Sequence, residues 1–336
     1  MSVVSVKPKT NIKEKGKEGK IYDAIIIGGG PAGLTAGIYL SRARMNTLLI
    51  EKALPGGQAV LTEIIENYPG FPHGITGPEL MQKMEEQAVG FSLKIEYGEV
   101  AEVKIKEGKE DKEDKVKMIK INNKEYKTLA IILASGAEAS KLEVPGEEEL
   151  RGRGISYCAT CDAPFFKDQK IVVVGGGDMA IEEALYLTKF VREVTIIHRR
   201  DRLRATKILQ ERVFVNKKIN FVWDSVVTKI LGNEKVEGVL VQNKKTGEER
   251  EISCQGVFVF VGNIPNSKFL NELIKLDKKG YILTDDNMMT SQEGIYACGD
   301  VRKKLLRQVV TACGEGATAA FAAQKYIEEL KGTSYK

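Results

Sequence analysis

Two stretches of this chain carry the same order of apolar and polar positions. Ile21–Ile27 is an apolar run of strand length. Gly28-Gly29-Gly30-Pro31-Ala32-Gly33 follows at once, then a helical pattern over 34–43, then a second apolar run over 47–50 that stops at Glu51. Residues 170–174 lead in the same way through Gly175-Gly176-Gly177-Asp178-Met179-Ala180 into a helical pattern reaching Phe190, and then into an apolar strand over 193–197 that stops at His198. Short apolar runs bounded by glycine predict buried parallel strands, so each stretch predicts a strand–helix–strand unit. From Gly28 to Glu51 is 23 positions, and from Gly175 to His198 is also 23. The two units therefore share one architecture.

Apolar runs at 129–137, 221–223, 235–242 and 256–261 predict further strands, the first ending in Ser135-Gly136-Ala137. Residues 294–300 predict a strand ending in Gly299-Asp300. Amphipathic spacing predicts helices over 78–89, after Thr206, and over 311–330, the last rich in small residues. Residues 55–58 and 67–70 read as surface loops. The charged stretch 96–127 is strand-like, with 106–117 a solvated hairpin or insertion. Loop residues at 141–154 and 262–266 mark two boundaries. The fold class that follows is α/β, with two Rossmann-like nucleotide-binding domains, the second inserted into the first. The expected limits are 21–140 for the first part of the outer domain, 141–262 for the inserted domain and 263–336 for the return. Residues 1–20 hold six lysines, two glutamates and no apolar period, and read as a disordered basic arm.

At 336 residues, 43% hydrophobic and 29% charged, the chain has material for two domain cores. The net charge of +5 is mild and spread along the sequence, which gives no reason to expect nucleic acid as a partner. No apolar run approaches the roughly 18 residues of a membrane span. The five cysteines are an odd number and no export signal is evident, so a reducing, cytoplasmic location is expected.

The glycines carry the first chemistry. Gly28, Gly30 and Gly33 stand in G-x-G-x-x-G register between strand and helix, where the turn lets a pyrophosphate approach the backbone at a helix N-terminus. Glu51, at the end of the next strand, is placed to hold ribose hydroxyls. At the matching place the second unit has His198-Arg199-Arg200, with Arg204 one helical turn on. An acid there repels a 2′-phosphate, whereas guanidinium forks match one. The second site is thus expected to prefer NADP(H) over NAD(H).

Between the two units lies Cys158-Ala159-Thr160-Cys161-Asp162. Cys-x-x-Cys spacing closes a small disulfide ring, one thiol of which can have a lowered pKa and attack other disulfides. The adjacent carboxyl of Asp162 is placed to hand protons to the thiolates. A zinc site would need about four ligands. The other candidates, Cys254, Cys298, Cys313, His73 and His198, are scattered and unpaired in spacing. Cys254 and Cys298 read as core thiols, Cys313 as helix packing and His73 as a loop residue.

With these motifs in order, the chain from Tyr22 to Leu330 resembles the low-molecular-weight thioredoxin reductases, homodimeric enzymes using FAD and NADPH. Gly56-Gly57-Gln58 and Arg307-Gln308 belong to the same resemblance. It implies that FAD lies on Gly28, Gly30, Pro31, Ala32, Gly33, Glu51, Gly57, Gln58, Asn67, Gly136, Asp300, Arg307, Gln308 and Val309. It implies NADPH on Gly175, Gly177, Asp178, Ala180 and His198, with Arg199, Arg200 and Arg204 at its 2′-phosphate. Cys161 would face the flavin, Cys158 would attack the partner's disulfide, and Asp162 would act as general acid. The inserted domain would rotate between these tasks. Asn263 and Met179 stand where the family commonly has His and Ser.

The partner implied is thioredoxin or a thioredoxin-like protein, the alternative being another small dithiol protein of glutaredoxin-like or peroxidase-system type. The reductase of a hydroperoxide system normally carries a thioredoxin-like N-terminal domain, which the arm at 1–20 does not supply. A ferredoxin-fed relative is disfavoured by the intact second glycine motif and its arginines. A non-catalytic sensor is disfavoured by the dithiol with Asp162.

Overall fold

A computed structural model describes residues 21–105, 115–121, 124–270 and 272–334. The basic arm at 1–20 and most of the expected insertion at 106–117 lie outside the described residues. The first unit forms as its pattern predicts: β1 (Ile21–Ile27), α1 (Pro31–Arg42) and β2 (Thr47–Glu51). The helix begins three residues before the apolar period does, because Pro31 at its first turn has the right φ and needs no N–H partner. Then come α2 (Gly77–Gly90), β3 (Lys94–Tyr97), β4 (Val100–Ile105), β5 (Lys117–Ile121) and β6 (Lys124–Leu133). Among the described residues these strands make a sheet of order β3-β2-β1-β6-β5-β4. Its β1–β2 and β1–β6 pairings are parallel.

After β7 (Ala137–Ala139) the chain enters a second lobe. There β8 (Ile155–Ser156) precedes α3 (Ala159–Asp162), β9 (Lys170–Gly175), α4 (Asp178–Leu187), β10 (Glu193–Ile197), α5 (Lys207–Phe214) and β11 (Ile219–Val222). β12 (Ser225–Leu231), β13 (Gly238–Asn243) and β14 (Glu249–Ser253) form an antiparallel sheet, and β15 (Gly256–Phe260) returns to the main one. That sheet runs β11-β10-β9-β15-β8. β12 and β14 lack a long apolar run, so periodicity missed them; they form because their neighbour β13 supplies the ladder. The chain leaves through β16 (Asn263–Pro265), adds β17 (Ile295–Ala297) beside β6, and closes with α6 (Val309–Lys331).

β7 and β16 pair antiparallel, Asn263 opposite Ala139, and Ser140 N–H donates to the Gly262 carbonyl at 2.9 Å. Both connections between lobes therefore run side by side as one two-stranded ribbon. The core divides accordingly. In the first lobe Ala24 and Ile26 face α1 and α6, while Ile25 and Ile27 face the opposite layer. In the second lobe one face of the sheet packs on α4 and α5, and the other on the three-stranded sheet. The small residues of α6 let it approach α1: a Cβ at Gly316 would stand 2.2 Å from the Ala32 carbonyl oxygen. Among the described residues no helix is long and apolar enough to cross a membrane.

Candidate active site

The carboxyl ends of β1, β6, β9 and β15 open on one cavity of about 1830 Å³ between the lobes. Strand ends are where such sheets bind ligands, since the helix N-termini and their free amides gather there. Three features make it a candidate nucleotide site. First, α1 and α4 begin at Gly30 and Gly177 with no side-chain cap, whereas Thr76 Oγ1 caps α2 by accepting Glu79 N–H at 3.2 Å. The uncapped amides are left for an anion. Second, Gly33 cannot be replaced, because its Cβ would lie 1.8 Å from the Gly28 carbonyl oxygen. Third, Gly30 and Gly57 back on each other, with 3.9 Å from a Cβ on Gly30 to the Gly57 Cα. Side chains there would fill the cavity both residues line.

Glu51 closes this turn. Its Oε2 accepts Gly29 N–H at 2.6 Å and its Oε1 accepts Ala53 N–H at 3.1 Å. Pro31, Ala32, Gln58, Gly136, Asp300, Arg307, Gln308 and Val309 line the cavity with Gly28, Gly30, Glu51 and Gly57. Asn67 meets this group through Gln308, its Nδ2 donating to the Gln308 Oε1 at 3.1 Å across 241 residues of sequence. The Arg307 guanidinium lies 4.2 Å from the centre of the Tyr281 ring, and its Nε is buried without a protein partner.

In the second lobe Asp178, Arg199 and Arg204 reach the same cavity. Asp178 Oδ1 accepts Thr206 N–H at 2.6 Å, and Arg204 N–H donates to the Gly176 carbonyl at 2.8 Å. These two bonds draw Arg204 over the glycine turn. Gly175, Gly177 and Ala180 form the turn itself, behind the cavity lining, and Arg200 is exposed beside it. His198 is placed differently from its neighbours. Its ring packs where a Cβ on Gly176 would be, 2.4 Å from its Nδ1, and edge-on to Trp223. Burial and the flanking Arg200 and Arg199 lower its pKa, and its Nε2 is buried without a protein partner.

Cys158 and Cys161 are joined in a disulfide. α3 starts at Cys158, whose Sγ accepts Cys161 N–H at 3.2 Å. Cys158 is half-buried and lines the cavity; Cys161 is exposed and Asp162 half-buried, and neither reaches the lining. Thr160, between the cysteines, donates its hydroxyl to the Leu61 carbonyl in the other lobe at 2.6 Å. Ion pairs flank this contact, Lys189 with Glu63 at 2.6 Å and Arg212 with Glu66 at 2.8 Å.

A family model described as pyridine nucleotide-disulphide oxidoreductase matches residues 22–316. The thioredoxin reductase of Bacillus subtilis is 52% identical over 317 residues, covering 94% of this chain and 98% of that protein. The chain belongs to the pyridine nucleotide-disulphide oxidoreductases, in the thioredoxin reductase group. The crystal structure of Lactococcus lactis thioredoxin reductase in its FR conformation superposes with a TM-score of 0.88 at 49% identity, over 92% of this chain and 99% of that one. The Streptococcus pyogenes thioredoxin reductase, at 47% identity over 92% and 99%, gives only 0.60.

Against this family pattern, several residues in or behind the cavity wall carry no motif. Ser135 Oγ donates to the Asn266 carbonyl at 2.7 Å and Asn266 Nδ2 donates back to the Ser135 carbonyl at 3.0 Å, tying the end of β6 to the returning chain. Glu315 accepts Gly299 N–H at 2.8 Å and pairs with Arg302 at 3.0 Å and Lys304 at 3.4 Å; Lys304 also lies 3.2 Å from Asp300. Glu147, almost fully buried, accepts Leu142 N–H at 2.8 Å and the Tyr157 hydroxyl at 2.7 Å, fixing the approach to Cys158. Glu183 Oε2 accepts Ala159 N–H at 3.0 Å. Only Glu183 had a sequence signal. It lies three residues after Ala180 and four before Leu187, both buried, so a carboxylate stands on the inner side of α4.

Proposed function

We propose that this chain is an NADPH-dependent thioredoxin-disulfide reductase, a flavoprotein that uses Cys158–Cys161 as its redox relay. The observation that carries the reading is the disulfide opening on the cavity that both glycine-rich turns share. Bound FAD and NADPH supply the hydride chemistry, by which an electron pair moves from the nicotinamide through the flavin to a disulfide. The uncapped amides at α1, with Glu51 and the wall from Asp300 to Val309, fit FAD. The uncapped amides at α4, with Arg199 and Arg204, fit the phosphates of NADPH.

The protein's own residues do the rest. On taking up two electrons the Cys158–Cys161 bond opens to two thiols. One thiolate attacks a disulfide of thioredoxin and forms a mixed disulfide. The other then attacks its neighbour's sulfur, which releases reduced thioredoxin and closes the Cys158–Cys161 bond again. Asp162 is the expected proton donor to the opening pair.

The dithiol and the second glycine turn both belong to the inserted domain, 141–262, and must serve one flavin on the outer domain, 21–140 with 263–336. A rigid inserted domain cannot present both at once, so we assign it a rotation about the β7–β16 ribbon. The two superpositions support this. Relatives at 49% and 47% identity each align over 92% of this chain, yet their TM-scores are 0.88 and 0.60, a gap that a different setting of the lobes would produce. In this reading Cys158 and Cys161 exchange surroundings as the lobes turn. The enzyme works as a homodimer in the cytoplasm. The test is spectroscopic and then chemical: NADPH in preference to NADH bleaches the flavin of the purified protein, and thioredoxin disulfide is then reduced. A flavin that NADPH does not bleach would overturn the reading.

A further inference from the structure

Beneath the dithiol lies a carboxyl group that the relay described above does not use. Glu183 is half-buried on α4, lines the same cavity as Cys158, and its Oε2 accepts the N–H of Ala159, the residue joined to Cys158. It thereby caps the short helix on which both cysteines sit. We propose that Glu183 is a positioning residue for the dithiol: its carboxyl clamps the Cys158–Cys161 turn, and its charge controls how readily Cys158 ionises. The inference rests on the reductase reading for its place in the reaction, and on the geometry for its chemistry.

The clamp has the wrong sign for a thiolate. A positive group beside a cysteine favours ionisation, and an ionised carboxylate opposes it. The helix start works the other way, since Cys161 N–H points at Cys158 Sγ at 3.2 Å. The balance therefore turns on the state of Glu183. Its pKa is raised to about 7, by burial first and then by Glu182 on its own helix and Glu63 from the other lobe. The backbone amides of Ala159 and Thr160 pull it back. Around these, Asp178, Glu66 and Arg212 act on Glu182, and Lys189 is paired with Glu63. The groups on α3 and its cap are the two cysteines and Asp162. Glu183 thus changes charge near neutrality, where thiol–disulfide exchange runs. It leaves Cys158 freer to ionise when protonated and suppresses the thiolate when charged. Glu63 and Lys189 belong to different lobes, so a movement that separates them also changes the charges around Glu183.

The test is made on full-length Cys161→Ser protein, in which Cys158 is the remaining thiol of the pair. Iodoacetamide alkylation of Cys158 is followed by mass spectrometry from pH 5.5 to 9.5, with NADPH left out. Adding Glu183→Gln keeps an acceptor for Ala159 N–H and removes the charge. The expected result is alkylation about tenfold faster than in the parent at pH 8, a shift of one pKa unit, and within about twofold at pH 6. Superimposable curves overturn the proposal. So does an offset of equal size at every pH, which is what loss of a merely structural clamp would give. Glu182→Gln leaves the clamp whole and is expected to move the onset of suppression to lower pH. An unmoved onset overturns the proposal, even where the Glu183 variant fails to fold. Since no nicotinamide is used, failure of the reductase reading would appear separately, as a disulfide that NADPH cannot reduce in the unsubstituted protein.

Discussion

Thr160 gives its hydroxyl proton to the carbonyl of Leu61 at 2.6 Å, and the two residues belong to different lobes. A residue between the cysteines thus ties the dithiol to the other lobe. A hydrogen bond of this kind contributes about 1 kcal/mol. The flanking pairs Lys189–Glu63 and Arg212–Glu66 are substantially exposed and add about 0.2–1 kcal/mol each. Thr160→Val with Glu63→Gln is therefore expected to shift the lobes away from this arrangement by roughly tenfold in population. Spin labels at the exposed positions Val89 and Val215, one in each lobe, would report it as a changed distance distribution. An unchanged distribution would mean that the ribbon, not these contacts, sets the arrangement.

Cys158→Ser removes the sulfur that lines the cavity and caps α3. NADPH is expected to bleach the flavin as before, while thioredoxin reduction falls to background, because serine oxygen neither forms the disulfide nor leaves from a mixed one. Rapid-mixing absorbance and a thioredoxin-coupled assay separate the two half-reactions. Normal reduction of thioredoxin by this variant would remove the pair from its assigned role.

Arg204 is held over the glycine turn by the Gly176 carbonyl and, through Thr206, by Asp178. Charge-assisted bonds to a phosphate contribute about 1.5–3 kcal/mol. Arg204→Ala is expected to raise KM for NADPH by about 10- to 100-fold and to leave KM for NADH within about twofold. Equal losses for both nucleotides would show that Arg204 holds the turn rather than the 2′-phosphate. His198→Phe is expected to leave NADPH selectivity unchanged, because that ring is packed edge-on to Trp223 and burial disfavours its charged form.

Lys117 is 2% exposed and donates to the carbonyls of Lys115 and Leu129 and to the Tyr326 hydroxyl. Burial lowers its pKa from 10.5 to about 8. Between those values the unfolded chain binds more protons than the folded one, so the folded state gains stability as pH rises through this window. The full span is about 3 kcal/mol. Urea unfolding of the protein and of Lys117→Met at pH 7 and at pH 10 should show the wild type gaining on the variant by that order. A difference independent of pH would contradict it.

The fold was legible where its signal is local. Both strand–helix–strand units fell within a few residues of their observed limits, because an apolar run, a glycine turn and a helical period each leave a mark at short range. The boundaries at 141–154 and 262–266 read only as loops, with no sign of the short strands 137–139 and 263–265. That they form one ribbon depends on two segments more than 120 residues apart, and no periodicity records such a pairing. The same reason hid Ser135–Asn266, Asn67–Gln308 and the Glu315 cluster. His198 shows the opposite case. Its position beside two arginines suggests a third cation, but packing against Gly176 and Trp223 buries the ring, and burial lowers its pKa.

The sequence by itself determined the class of chemistry. Two glycine turns at matched spacing, an acid ending one unit and a basic cluster ending the other, and a Cys-x-x-Cys between them are short-range patterns whose meaning follows from backbone geometry and charge. Tertiary structure alone decided how those parts meet. It put Cys158 rather than Cys161 on the cavity wall, Thr160 against the opposite lobe, and Glu183 under the dithiol. Each of these depends on the angle between two lobes and on the helix face turned inward, quantities that are set by packing over the whole chain.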